Sequence, residues 1–158
     1  MNHTTAPTLA QALAQAHTLG LARIDAQLLL LHTVGRAGSD RAWLLAHDTD
    51  PLQPAQHALF LALCQRRLAG EPVAYLIGEW EFHGLPIVVT PDVLIPRMDT
   101  EVLVDAALRV LVGRKMNARI LDLCSGSGCI GCALAHELPA ARVVMVDISD
   151  AALAVSKE

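Results

Sequence analysis

The sequence predicts an α/β chain in three parts. Residues 1–74 read as an N-terminal helical bundle, 75–92 as a linking β-hairpin, and 93–158 as the first half of a parallel, doubly wound domain. Three observations carry this reading. Up to about residue 70, apolar residues recur at helical spacing between Gly and Pro stops. Residues 80–89 read as two short strands on either side of Gly84. From Ile120 onward, an apolar run, a glycine loop, a helical pattern and a second apolar run follow one another in the order of a βαβ unit.

Each element has a local reason. Leu9, Leu13 and Ala16 share a helical face, and Gly20 is a natural stop. Ile24, Leu28 and Leu31 repeat the pattern before Gly35. Ser39 is placed to cap a short helix carrying Trp43 and Leu44. Pro54 suits the first turn of a longer helix bearing Leu59, Ala62, Leu63 and Arg66, closed by Gly70 and Pro72. After the hairpin, Asp99 or Thr100 is expected to cap a helix whose apolar face is Val102, Leu103, Ala106, Ala107 and Val110, with Gly113 at its end.

The chemistry concentrates in Ile120-Leu121-Asp122-Leu123-Cys124-Ser125-Gly126-Ser127-Gly128 and in Arg142-Val143-Val144-Met145-Val146-Asp147. Glycines let a backbone approach a ligand closely, and a helix start offers free N–H groups. A carboxylate at the second strand end can accept both hydroxyls of a ribose. Cys124, Ser125, Gly126, Ser127, Gly128 and Asp147 are therefore the candidate residues of a nucleoside-cofactor site. Gly126-Ser127-Gly128-Cys129-Ile130-Gly131 also spells the dinucleotide pattern G-x-G-x-x-G, which is weak evidence alone. Asp122 favours S-adenosylmethionine instead, because a carboxylate repels a pyrophosphate and attracts a sulfonium and an ammonium. A dinucleotide, or a loop serving only a tight turn, remains the alternative at this point.

Composition narrows the function classes. A net charge of −4 and a pI near 5.9 argue against binding free nucleic acid through its phosphates. At 53% hydrophobic and 18% charged, the chain is apolar for its size, as if some surface were meant to be covered. Met1 to Thr5 lack the basic-then-apolar pattern of a leader, and the Leu28–Leu31 run is too short to span a bilayer. The expectation is a cytoplasmic protein with reduced thiols, no membrane contact and an unspecified oligomeric state. Cys124, Cys129 and Cys132 fall at C-x4-C-x2-C, but no fourth Cys follows, and the seven His residues are scattered, so no metal is expected.

The blocks upstream of the loop resemble a known family. Arg67-Leu68-Ala69-Gly70-Glu71-Pro72-Val73-Ala74-Tyr75-Leu76-Ile77-Gly78, then Glu81-Phe82, then Leu94-Ile95-Pro96-Arg97-Met98-Asp99-Thr100-Glu101 are similar to signatures of the release-factor glutamine methyltransferases. The resemblance runs from about Ala22 to the last residue and implies a Rossmann-like, S-adenosylmethionine-dependent methyltransferase domain. It implies as substrate the side-chain amide of the glutamine in the Gly-Gly-Gln motif of peptide chain release factors. It also implies that the helical bundle positions the release factor, and that the loop at Ile95–Arg97 closes over the cofactor, making Arg97 and Thr100 further binding candidates. A plain surface ion pair of Arg97 with Asp99 or Glu101 is the simpler alternative. Cys124 stands where the family usually has Gly; a Cys there also occurs in sister enzymes that methylate a ribosomal-protein glutamine. The family's catalytic Asn-Pro-Pro-Tyr tetrapeptide does not occur in these residues, so no catalytic residue is assigned. The chain is expected to be inactive by itself, whether as part of such an enzyme or as a binding module.

Overall fold

The computed structural model describes residues 6–111 and 118–158, and these fall into two compact units divided between Ile77 and Gly78. The predicted Gly113 helix stop lies outside the described residues.

The first unit is all helical: α1 (Leu9–Thr18), α2 (Arg23–Thr33), α3 (Arg41–Ala46), α4 (Pro54–Leu68) and α5 (Val73–Ile77). A capping box starts α1: Thr8 Oγ1 accepts the Gln11 N–H, and Gln11 Oε1 accepts the Thr8 N–H. Pro54 opens α4 as its first helical residue. The core gathers around α2, which touches all four other helices of the unit. That wide surround explains one departure from the sequence reading. Ala26, Leu29, Leu30 and Leu31 are buried, whereas the expected Ile24 is exposed and Leu28 only half-buried. On α4 the buried stripe is Phe60, Leu63 and Cys64: of the residues named from the sequence Leu63 is buried, while Leu59, Ala62 and Arg66 are exposed. Asp40, not Ser39, occupies the cap position of α3, and its carboxylate pairs with Arg36. Arg66 and Arg67 are both engaged within the unit: Arg66 on Glu71, and Arg67 on Asp25 at 2.8 Å.

The second unit begins with the hairpin β1 (Glu79–Phe82) and β2 (Leu85–Val88), paired from Glu79↔Val88 to Phe82↔Leu85. Its two-residue turn, His83-Gly84, has positive φ at both positions (51° and 75°), the twist that matches paired strands. Helix α6 (Met98–Leu111) follows, then β3 (Arg119–Leu123), α7 (Cys129–Glu137), β4 (Arg142–Val146) and α8 (Asp150–Val155). Strands β3 and β4 pair in parallel with Asp122 opposite Met145, so the βαβ unit forms as read. Helix α6 starts at Met98, which puts Asp99 and Thr100 inside its first turn, not at the cap. Val104 is its one buried residue, while the expected Val102, Leu103 and Val110 are more than half exposed. Among the described residues, no helix is long and apolar enough to cross a membrane.

Candidate cofactor site

Between β3 and α7 the chain reverses direction in five residues, and it does so through left-handed backbone at every second one. Cys124, Gly126 and Gly128 have φ of 61°, 55° and 78°. Glycine tolerates this region freely; Cys124 does not and is strained there. The loop is fixed from inside. The Ser125 N–H donates to the Val146 carbonyl at 3.1 Å, and the Gly128 N–H returns to the Ser125 carbonyl at 2.8 Å.

Asp147, directly after β4, meets this loop. Its Oδ2 accepts the Gly126 N–H at 2.8 Å and its Oδ1 accepts the Ser149 N–H at 3.0 Å. Those N–H groups, Ser149 first, hold the carboxyl below the usual range, so it is ionised at neutral pH. Each oxygen keeps a second lone pair for an incoming hydroxyl.

Asp122 is turned to a different task. Its Oδ2 accepts the Gly131 N–H at 3.0 Å, tying the strand to the first turn of α7, where a negative charge also suits the helix dipole. Partial burial, aided by the nearby Asp147 charge, nonetheless pushes its pKa up. The sequence reading weighed Asp122 only as a selector of cofactor charge and missed this anchoring role. Gly131, read in the sequence only as the last glycine of a dinucleotide pattern, is a close-approach position, where an added Cβ would come within 2.7 Å of Met145 Cγ and Sδ. At Gly128 the corresponding contacts are Met145 Sδ at 3.0 Å and Ser156 Cβ at 3.1 Å. Helix, strand and loop are thus pressed together where glycine allows it.

The structure brings Cys124, Ser125, Gly126, Ser127, Gly128 and Asp147 into one cluster. Gly126 opens onto free space, with nothing within 4 Å of where a Cβ would sit. Ser125 is buried, and its hydroxyl has no hydrogen-bond partner, which is costly unless a ligand group supplies one. Ser127 is spent internally, on the buried Cys129 thiol, which burial pushes up in pKa. Arg97 and Thr100 make no hydrogen bond to the loop or to Asp147 among the described residues. Nor, among the described residues, does Arg97 form an ion pair with Asp99 or Glu101, the alternative weighed for it. Among the described residues no three His, Cys, Asp or Glu side chains gather as metal ligands would.

Comparison with known proteins matches both units. Residues 8–78 match the PrmC N-terminal domain, and residues 99–158 match the methyltransferase small domain. A release factor glutamine methyltransferase of Bordetella pertussis is 54% identical over 138 residues, covering 87% of this chain and 50% of the relative. The chain is a relative of the release-factor glutamine methyltransferases. Proteins of the same name from Burkholderia pseudomallei and Xylella fastidiosa are 43% and 44% identical, over 98% and 92% of this chain. The chain spans about half the length of the curated relatives it matches. The glycine loop and Asp147 both fall within the part that matches the methyltransferase small domain.

Proposed function

We propose that this chain supplies the recognition bundle and the cofactor-binding part of an S-adenosylmethionine-dependent methyltransferase. Its substrate in this reading is the side-chain amide of the glutamine in the Gly-Gly-Gln motif of a peptide chain release factor. The observation that carries the cofactor is the Asp147 carboxylate, kept ionised beside a loop whose Gly126 faces open space. The residues fit the group. Asp147 would accept the ribose hydroxyls, Gly126 leaves room for the nucleoside, and the orphaned Ser125 hydroxyl would gain a partner. Asp122 adds a second negative charge near the loop, favourable to a cationic ligand and unfavourable to a pyrophosphate.

Bound S-adenosylmethionine supplies a methyl group activated by its sulfonium. What these residues contribute is binding and orientation; none is placed to hold an amide nitrogen in line with the methyl group. The substrate follows from the relatives' names, and the helical bundle is read as the part that docks the release factor. A ribosomal-protein glutamine is the second candidate substrate, on the strength of Cys124 in the loop.

Titration calorimetry of the chain with S-adenosylmethionine, S-adenosylhomocysteine and NAD tests the cofactor. The first two should bind, and Asp147→Asn should weaken both by roughly tenfold or more through loss of charge-assisted hydrogen bonds. Micromolar NAD binding would overturn the assignment. A polypeptide of the relatives' full length should then label a release factor but not its Gln→Ala variant in the Gly-Gly-Gln motif, with the ribosomal protein as the competing substrate.

A further inference from the structure

Two carboxylates, four residues apart on α6, grip the tip of the hairpin. The His83 N–H donates to Glu101 Oε1 at 3.0 Å, and its ring Nε2 lies 3.2 Å from Asp105 Oδ1. A carboxylate only accepts here, so Nε2 carries the proton in this pair. The spacing puts Glu101 and Asp105 on one face of α6, with Val104 fully buried between them. His83 itself sits at φ 51°, a region that side chains rarely adopt, and its side chain is 19% exposed against 58% for Asp105. On the hairpin side, Glu81 Oε1 accepts the Gly84 N–H and supports the turn. One residue is therefore held by its backbone and its ring at once.

The chain leaves this clasp at Gly84 and returns to it at Glu101. Between them, after β2, the segment from Val89 to Arg97 has no helix or strand. Within it the Thr90 carbonyl accepts the Val93 N–H, Thr90 Oγ1 accepts the Asp92 N–H and donates to Asp92 Oδ2, and Val89 N–H donates back to Gly78. Leu94, Ile95 and Arg97 donate no backbone hydrogen bond among the described residues. A segment without helix or strand gains from having its ends tied, because tying them removes alternative conformations it would otherwise sample. Helix α6, to which it is tied, packs against α7, the helix that opens from the glycine loop.

We propose that His83 is a positioning residue. It latches the hairpin turn to Glu101 and Asp105 and so holds the Val89–Arg97 segment and the start of α6 in one arrangement. Through the α6–α7 contact this tightens cofactor binding, although His83 does not touch the cofactor. The last step rests on the cofactor reading above; the latch itself does not.

Hydrogen exchange and calorimetry on the same proteins test the two steps separately. In His83→Ala, the Asp92 and Val93 amides should exchange roughly three- to tenfold faster, as loss of one such bond implies. Amides of β3, α7 and β4 should hold their rates. His83→Gln keeps an N–H donor toward Asp105 and should restore slow exchange. Asp105→Ala, which removes the acceptor, serves as the second variant should His83→Ala fail to fold. Affinity for S-adenosylmethionine should fall in His83→Ala by a similar factor and recover in His83→Gln. Unchanged exchange at Asp92 and Val93, or equal acceleration throughout the unit, overturns the latch. Faster local exchange with unchanged affinity overturns the positioning step. If the wild-type chain binds no S-adenosylmethionine, the cofactor reading fails, while the exchange data still decide the latch.

Discussion

Asp122 and Asp147 flank the same loop and are pushed in opposite directions. Burial raises Asp122, with the Asp147 charge adding to it against the Gly131 N–H; backbone N–H groups lower Asp147. The linkage signs follow. Asp147 contributes stability that is present above the ordinary value of 3.8 and is lost as pH falls through its lower folded value. Asp122 contributes stability below 3.8 that is lost as pH rises through its raised folded value, so at neutral pH its charge is a cost. Asp122→Asn keeps an oxygen for the Gly131 N–H and removes that cost. It should raise the melting temperature slightly at pH 7, by a few degrees at most (~1 kcal/mol or less), with the gain vanishing near pH 4. Affinity for S-adenosylmethionine should fall in the same variant. Thermal melts across pH 4–8 with parallel calorimetry check both signs; lower stability at pH 7 would show that Asp122 acts chiefly as the α7 anchor. The loop was legible in the sequence because glycine spacing and a strand-end acid are local signals. The Gly131–Met145 contact was not, because it joins positions that only the β3–β4 pairing brings together.

At the scale of elements, periodicity located most helices and the strands, and placed the α1 face on Leu9, Leu13 and Ala16, but misjudged parts of the α2, α4 and α6 faces. The helix from Leu9 and the hairpin turn at Gly84 formed where glycine and capping chemistry put them. The α2 and α4 faces were misread because an i, i+4 pattern does not say how many neighbours a helix will have, and α2 has four in its unit. The short α5 carried no periodic signal and was not anticipated. Cys64 shows the consequence. It lies fully buried in the α4 stripe, and burial pushes its thiol up to about 11. A raised folded value means stability that is complete below the ordinary thiol value of 9.0 and is lost as pH rises through about 11. Native protein at pH 8 should therefore label slowly at Cys64 and readily at the exposed Cys124 with a thiol reagent, while denatured protein labels at both. Peptide mapping after a timed pulse reads this directly. Rapid native labelling of Cys64 would mean that the helical unit opens far more readily than its packing implies. A second expectation is that unfolding midpoints decline between pH 9 and pH 11, and that Cys64→Ala abolishes this part of the decline.

For the molecule as a whole, the unequal finish of the two units matters most. The helical unit closes around its own core, with Leu29, Leu30, Leu31 and Phe60 entirely covered. The second unit does not. Helix α7 covers one side of the β3–β4 pair, where Gly131 meets Met145, but the other side presents Leu121, Leu123, Val144 and Val146, each 40–67% exposed. A parallel sheet ordinarily has both faces covered and its inner strands paired on both sides. Among the described residues, β3 and β4 pair only with each other, so each keeps one edge of open N–H and C=O groups. Apolar side chains beside an unpaired edge are a template for association. The 158-residue chain should accordingly associate as its concentration rises, with Leu123→Lys and Val144→Lys each shifting the equilibrium toward monomer. Both positions face away from α7, so neither substitution disturbs the glycine loop from within. Sedimentation velocity across a hundredfold range of concentration checks this. A monomer throughout, at concentrations well into the micromolar range, would show that the bare face of the sheet is tolerated in water and that its apolar residues alone do not drive self-pairing.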